Sequence, residues 1–184
     1  FLYEIDNEIT EFGYKRDPRI EELLYGRNVR KDLALVFDCK EENISLTKEE
    51  ALRGNIIYHY SNLYLSSLIS AEGLKLPSKI VGNLYLSGLR SAEGLKLPDK
   101  VGGFLLLSGL TSAEGLKLPD KIGRNLYLNS LISAEGLKLP DKIGGIIYLI
   151  SLESLDGLDL SSNLISKMVF SDKIKNQLKN QKTL

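Results

Sequence analysis

The chain repeats itself at a fixed interval. The string Glu-Gly-Leu-Lys-Leu-Pro begins at Glu72, Glu93, Glu114 and Glu135, and an eroded copy begins at Asp156, so every interval is the same. Four near-identical copies in register do not arise by chance. This period restricts the chain to a repeat architecture, in which each unit buries its apolar face against its neighbours.

The pattern inside one unit predicts strands. Leu84-Tyr85-Leu86 and Leu95-Lys96-Leu97 alternate apolar and polar residues, as a strand with one buried face does. Gly94, Pro98 and Gly102 interrupt any helix that could start between them. We therefore expect a mainly β protein, a parallel β-solenoid or leucine-rich-repeat-like stack, whose coils lie about 4.8 Å apart.

The apolar positions of the unit predict its interior. Seven of the 21 positions are apolar in the repeated copies, and we expect their side chains to face inward. In the unit that starts at residue 83 they are Leu84, Leu86, Leu89, Ala92, Leu95, Leu97 and Val101. Since one coil cannot bury these side chains alone, the stability of the stack must come from contacts between neighbouring coils.

Glycine and proline also recur at fixed positions. The glycine column starts at Gly73 and predicts a turn with positive φ, where a Cβ would clash. The proline column starts at Pro77 and predicts the end of a strand, because proline has no N–H to donate. Both columns favour a structural role over a functional one.

The unit resembles a short leucine-rich repeat of the bacterial or phage type. In such repeats a Leu-x-Leu strand alternates with a Leu-Pro segment, and the resemblance covers about residues 62–165. The resemblance implies a scaffold that binds other proteins on its exposed strand face. One position departs from the usual repeat, because a leucine column that includes Leu68 and Leu89 stands where a buried asparagine is usual. A straighter β-solenoid is therefore an alternative to the curved horseshoe.

We divide the chain into three regions: an α+β N-terminal capping region over residues 1–61, a solenoid of about five coils over residues 62–165, and a basic C-terminal cap over residues 166–184. The caps are expected to cover the exposed edges of the sheets at the two ends of the stack.

Four segments of the capping regions have patterns of their own. Asp17-Pro18 predicts the start of a helix that ends at Gly26, whereas Asp32–Phe37 has the apolar run of a strand. Thr47 to Glu50 forms a capping box, which predicts a short helix ending near Gly54. Ser171–Leu178 predicts a C-terminal helix with Ile174 and Leu178 on one side.

The composition does not favour an enzyme. The 24 basic residues balance the 24 acidic ones, which does not favour a nucleic-acid partner. Cys39 is the one cysteine and His59 the one histidine, so we predict no catalytic, cofactor-binding or metal-binding residues and no cofactor. The sequence shows no apolar span for a membrane and no signal peptide, and we expect a cytoplasmic protein or one delivered into a host cell.

The charges are distributed unevenly along the chain. Residues 1–61 carry nine basic and thirteen acidic residues, whereas residues 166–184 carry five lysines and one aspartate. The simpler interpretation is that these charges keep the caps solvated, since exposed ion pairs contribute little. Self-association through the acidic N-terminal and basic C-terminal ends is the alternative.

An outward-facing column of large side chains is the candidate binding site. It is expected to lie on one sheet face and to bind a protein partner, because aromatic residues concentrate binding energy at interfaces. Its predicted members are Tyr64, Tyr85, Leu106, Tyr127 and Tyr148, together with Phe104. The alternative is that these aromatic residues only stabilise the strands.

The lysine columns suggest a second candidate, a track for phosphate groups. One column starts at Lys75 and the other at Lys79, but aspartates and glutamates run beside both, and a solvated flank is the better interpretation.

The function predicted from the sequence is therefore a non-catalytic, protein-binding repeat scaffold. The alternatives are a phage or bacterial inhibitor that occludes a host or defence protein, and a carbohydrate-binding module that uses the tyrosines. A polysaccharide-cleaving β-helix is least favoured, because the chain is short and no outward cluster of acids is evident.

Overall fold

The computed structural model describes residues 29–140, 142–158 and 164–181. The chain divides into two compact units, Phe1–Glu41 and Glu42–Leu184. The predicted helix from Asp17 to Gly26 lies outside the described residues.

In the first unit the described residues form helix α1, Val29–Val36. The predicted strand over Asp32–Phe37 is therefore wrong. Leu33 and Ala34 are both buried although they are neighbours, which a half-buried strand does not allow but a helix does. A short apolar run cannot distinguish the two periods, and leucine and alanine are strong helix formers.

The second unit is a parallel β-solenoid of about five coils, as predicted. Its strands in chain order are β1 Ile44–Ser45, β2 Tyr58–His59, β3 Leu63–Tyr64, β4 Lys79–Ile80, β5 Leu84–Tyr85, β6 Lys100–Val101, β7 Leu105–Leu106, β8 Lys121–Ile122, β9 Leu126–Tyr127, β10 Lys142–Ile143, β11 Ile147–Leu149 and β12 Met168–Phe170. They form two six-stranded sheets, with strand orders β1-β2-β4-β6-β8-β10 and β3-β5-β7-β9-β11-β12. We name the first the lysine sheet and the second the tyrosine sheet, after their outward side chains.

The pairing of strands reproduces the sequence period. In the lysine sheet Lys79 pairs with Lys100, and in the tyrosine sheet Leu84 pairs with Leu105, so that both pairs are separated by one repeat length. The register continues at the C-terminal end, where Ile147 pairs with Met168. At the N-terminal end β2 pairs in register with β4, whereas β1 and β2 are joined by a shorter connection.

The second strand of each coil does not lie where the sequence predicts it. Leu95–Leu97 is not a strand, and the coil pairs instead through Lys100–Val101, which follows Pro98. The N–H of Leu95 donates to Ala92 O at 3.0 Å within a turn, and proline has no N–H to donate. The backbone of this segment therefore cannot form a ladder with the coil beside it.

This displacement changes which side chains are buried. Six of the seven predicted inward positions are buried in the middle coils, including Leu84, Leu86 and Val101. Leu97 is only half-buried, while Pro98 is buried, and the equivalent residues of the other coils behave alike. The pleat alternation that predicted Leu97 inside applies to strands, and this segment is outside both sheets.

The glycine column has the predicted conformation. Its φ angles are positive, between 68° and 78° for Gly73, Gly94, Gly115, Gly136 and Gly157. A Cβ at Gly73, Gly94 or Gly115 would meet no atom beyond its chain neighbours within 4 Å, so glycine is required there by the positive φ, at which a Cβ crowds its own backbone.

Short helices flank the coils in the second unit. Thr47 caps helix α2, Lys48–Ala51, by accepting a hydrogen bond from Glu50 N at 3.2 Å, which confirms the capping prediction. The predicted C-terminal helix is α3, Asp172–Gln181, and its Ile174 is fully buried in the core. Two 3-10 turns, Glu41–Asn43 and Ile165–Lys167, complete the described elements. None of the helices within the described ranges has the length and apolar character needed to cross a membrane.

Candidate binding face

The outward side chains of the tyrosine sheet form the candidate site, which we call the aromatic face. Strand pairing places Tyr64 beside Tyr85, Leu106 between Tyr85 and Tyr127, and Tyr148 beside Tyr127. The predicted column therefore exists as one continuous row. Tyr64 is 55% exposed, and the other members of the row are half-buried.

The tyrosines stack on one another in two pairs. The ring centroids of Tyr64 and Tyr85 lie 4.5 Å apart with 18° between the planes, and those of Tyr127 and Tyr148 lie 4.7 Å apart with 2° between them. Because the rings of each pair lie face to face, each ring covers one face of its neighbour and leaves its edges uncovered. The aromatic face is thus a ridge of ring edges.

The third coil interrupts this ridge. Leu106 takes the place of a tyrosine, and Phe104 contacts Tyr127 edge to face, with centroids 6.1 Å apart and an interplanar angle of 75°. The Arg124 guanidinium lies over the Phe104 ring, 5.6 Å from its centroid. We call Phe104, Leu106 and Arg124 the notch.

Asparagines hold three of the tyrosines in place. Asn62, Asn83 and Asn125 each stand two positions before a tyrosine, and each donates from Nδ2 to the hydroxyl of that tyrosine, at 2.9, 3.2 and 3.1 Å. Each Oδ1 accepts a backbone N–H of the next coil, at 2.8, 2.7 and 2.9 Å. We call this arrangement the asparagine clamp, and it connects each coil to the coil that follows it.

The clamp fixes the role of the tyrosine oxygen. Since Oδ1 must accept the backbone N–H, the atom that faces the tyrosine must be the donor Nδ2. The oxygens of Tyr64, Tyr85 and Tyr127 therefore accept from the asparagines, and the Tyr85 hydroxyl also has Tyr64 as a hydrogen-bond partner.

Each clamp asparagine is the first residue of a unit, and it requires a glycine as the last residue of that unit. A Cβ at Gly82 would lie 2.6 Å from Asn62 Oδ1, and a Cβ at Gly103 or Gly145 would collide with the Oδ1 of the asparagine in the coil before it. The equivalent residue that follows Phe104 is Arg124, where no asparagine has to be accommodated. An asparagine at the first position of a unit thus occurs with a glycine at its last position, whereas Phe104 occurs with Arg124.

Sequence reasoning identified the row of the aromatic face but missed the clamp. The sequence does contain the signal, because an asparagine at the first position of the unit and a glycine at its last position recur together in three coils. The clamp joins equivalent positions of neighbouring coils, whereas the glycine that accommodates it lies one position out of register, which hid their partnership.

Partial burial affects the acidity of one phenol. Burial raises the pKa of Tyr85 above its ordinary value of 10.0, and this effect outweighs the lowering by the hydrogen bond from Asn83. Tyr64 raises the pKa of Tyr85 further, because two neighbouring phenolates would repel each other and because its hydroxyl is a hydrogen-bond partner of the neutral Tyr85 phenol.

The lysine sheet carries a ladder of like charges on its outward side. Lys79, Lys100, Lys121 and Lys142 pair directly across neighbouring strands. Lys79 donates to the Tyr58 hydroxyl at 2.9 Å and lies over its ring, 4.7 Å from the centroid. Asp99 and Asp120 lie next to the ladder in sequence, but within the described residues they form no ion pair with its lysines.

The last strand of the lysine sheet borders an open groove of about 330 Å³, lined by Lys121, Gly123, Lys142, Gly144, Leu164 and Lys167 among others. In the coil before, Gly144 N donates to Ile122 O at 2.8 Å. At the equivalent carbonyl of the last strand, Lys167 Nζ donates to Ile143 O at 2.6 Å. A lysine side chain therefore replaces a strand N–H and blocks this edge.

The lone histidine is part of the core of the second unit. His59 is fully buried, with Nδ1 2.9 Å from Ser45 Oγ and Nε2 3.2 Å from Ser61 Oγ. These contacts suit a packed imidazole, in a position where the later coils have Ile80 or Val101. Cys39, in the first unit, is half-buried. Within the part of the chain described, no cluster of three or more histidine, cysteine, aspartate or glutamate residues could hold a metal ion.

No protein family, no curated protein and no solved structure matches this chain.

Proposed function

We propose that this protein is a non-catalytic scaffold that binds a partner protein through the aromatic face. The observation that carries the proposal is the row of stacked tyrosines, which presents ring edges and three hydroxyls held in place by asparagines. Five neighbouring strands make a row roughly 20 Å long, comparable with one side of a modest protein interface.

The stacking favours a protein over a carbohydrate as the partner. A sugar ring packs its C–H groups against the open face of an aromatic ring, but each tyrosine in a stacked pair covers one face of the other. Ring edges with polar tips suit the mixed apolar and polar surface of a protein.

A bacterial or phage inhibitor that occludes a host or defence protein is the narrower form of this proposal. It is motivated by the likeness of the unit to short leucine-rich repeats of that type, and such a protein would act in the cytoplasm or after delivery into a host cell.

The experiment compares which proteins two double variants retain. The immobilised wild type, Tyr85→Ala with Tyr127→Ala, and Lys75→Ala with Lys117→Ala are exposed to lysate of the source organism, and bound proteins are quantified by mass spectrometry. We expect the tyrosine variant to lose a partner that the wild type and the lysine variant retain. Calorimetry with that partner should show a loss of at least about 2 kcal/mol.

The opposite result would overturn the proposal. If the lysine variant loses the partner and the tyrosine variant retains it, the charged flank is the binding surface and the tyrosines only stabilise the strands. Thermal unfolding of both variants, followed by circular dichroism, establishes that each remains folded.

A further inference from the structure

The notch departs from the repeat at three positions that meet in space. Phe104 replaces the clamp asparagine, Leu106 replaces the tyrosine that it would hold, and Arg124 replaces the glycine that would cover the asparagine. The same coil keeps the inward residues Leu105 and Leu107, which are fully buried. The departures are therefore confined to the outward side.

The replacements exchange an amide contact between coils for aromatic ones, since Phe104 contacts Tyr127 and Arg124. In three other coils an asparagine accepts a backbone N–H of the next coil, as Asn83 does for Phe104 N at 2.7 Å. Asn125 N has no such amide acceptor among the described residues, because Phe104 stands in the coil before it. The coil at the centre of the row has thus given up a coil-to-coil contact that its neighbours keep.

The shape of the notch suits an apolar side chain. Leu106 lies between Tyr85 and Tyr127 and is shorter than either, so the ridge is lower there. Phe104 closes one side of the gap and is only half-buried. A leucine-sized group of a partner that entered the gap would contact carbon atoms.

The polar groups around the notch suit a carboxylate. Arg124 is exposed and forms no ion pair with any described residue. The five outward strand segments of residues 62–67, 83–88, 104–109, 125–130 and 146–151 contain no aspartate or glutamate. An incoming carboxylate therefore meets the Arg124 guanidinium and no like charge from these segments.

We propose, on the basis of the proposed function, that the notch is the centre of the interface and binds a partner segment that combines a leucine-like side chain with a neighbouring carboxylate. Phe104 and Leu106 would contact the apolar group. Arg124 would bind the carboxylate.

The test uses short capped peptides as probes of this chemistry. Asp-Leu-Asp is titrated into the isotope-labelled full chain, and backbone amide shifts are recorded by nuclear magnetic resonance, with Asn-Leu-Asn and Asp-Gly-Asp as matched controls. We expect saturable shifts centred on residues 104–106 and 124, and binding at least about fivefold weaker for each control peptide.

Two variants separate charge from shape. Arg124→Gln should weaken binding of the acidic peptide at least about fivefold, whereas Lys117→Gln, on another side of the coil, should leave it unchanged. The triple variant Phe104→Asn, Leu106→Tyr, Arg124→Gly restores the repeat, and it should remain folded while losing the peptide.

Equal binding of the three peptides, shifts centred on the lysine sheet, or peptide binding by the folded triple variant would each overturn the inference. The partner retained from lysate distinguishes this failure from failure of the proposed function. If the triple variant keeps that partner but Tyr85→Ala with Tyr127→Ala loses it, the aromatic face binds the partner and only the notch is wrong. If both variants keep it, both proposals fail.

Discussion

The two sheets of the solenoid have alike interiors and contrasting exteriors. Inside, Ile122 of the lysine sheet and Leu126 of the tyrosine sheet are both fully buried. Outside, the lysine sheet places like charges directly opposite one another, which is unfavourable, whereas the tyrosine sheet stacks its rings and joins its coils through asparagine clamps. The comparison shows that burial is enough to hold a coil in register. The outward side chains of the tyrosine sheet add stacked rings and asparagine clamps between coils, whereas the lysine sheet has the contact of Lys79 with Tyr58 near its N-terminal end.

Truncating a buried side chain should lower the free energy of unfolding more than any other change. The loss should be similar on the two sides of the core. Leu107→Ala and Ile122→Ala should each lower the free energy of unfolding by about 2–5 kcal/mol, because both side chains are fully buried and would leave cavities. Chemical denaturation measures the loss. Lys96→Ala, at an exposed position, is the control, and an equal loss there would show that the assignment of inside and outside is wrong.

Removing one asparagine clamp should show that the stability of the protein depends more on outward contacts of the tyrosine sheet than on those of the lysine sheet. Asn83→Ala should cost about 1–3 kcal/mol, because Phe104 N would lose its acceptor and Tyr85 its donor. Lys100→Ala, in the lysine sheet of the same unit, should change stability by less than about 0.5 kcal/mol. Similar losses in denaturant melts would mean that the clamp contributes nothing beyond packing.

A double-mutant cycle checks the partnership of asparagine and glycine. Gly103→Ala should destabilise the protein, because the new Cβ would collide with Asn83 Oδ1. The same change should cost at least about 0.5 kcal/mol less in the Asn83→Ala background, where that oxygen is gone. Additive losses would contradict the contact.

Reversing one charge should improve the lysine sheet slightly. Lys121→Glu places a carboxylate between Lys100 and Lys142, and it should stabilise the protein by roughly 0.2–1 kcal/mol at low salt. The gain should shrink as salt is added, because exposed charges are screened. A gain that does not depend on salt would show that repulsion within the ladder is not its source.

Alkaline pH should weaken the tyrosine sheet in particular. The pKa of Tyr85 is raised in the folded state above its ordinary value of 10.0, mainly by burial. Its contribution to stability is therefore fully present below that value and is lost as the pH rises through the pKa of the folded state. Tyr85→Phe, which cannot ionise at this position, should lose less stability over the same alkaline range in denaturant melts. An identical pH dependence in wild type and variant would refute this account.

The sequence predicts well those features that depend on one position repeated down the stack. The period, the parallel stacking and the inward leucines such as Leu84 follow from composition at equivalent positions. The strand predicted at Leu95–Leu97 fails because alternation says nothing about whether the backbone N–H groups are already used in a turn. The strand predicted at Asp32–Phe37 is wrong because so short an apolar run does not distinguish the period of a strand from that of a helix.

The candidate site shows the same division. The aromatic row could be predicted because its members occupy one column, whereas the glycine beside each clamp asparagine, and Arg124 over Phe104 in the notch, join the last position of a unit to the first. Such a contact becomes visible only when it is known that these two positions, one step out of register, meet in the stack.

The pairing of each clamp asparagine with its glycine also marks where one exchangeable unit of this molecule ends and the next begins. Residues 62–82 and 83–103 each begin with asparagine and end with the glycine that accommodates it, whereas residues 104–124 begin with Phe104 and end with Arg124. If units are exchanged at these borders, each asparagine moves together with its glycine, and Phe104 moves together with Arg124. A border placed one residue earlier would separate these partners, so that a moved unit could place Arg124 over an asparagine. Whole units could therefore be duplicated, deleted or reordered by recombination without breaking the match. In an engineered array, the position of the notch along the rod would then be set by where the block of residues 104–124 is inserted.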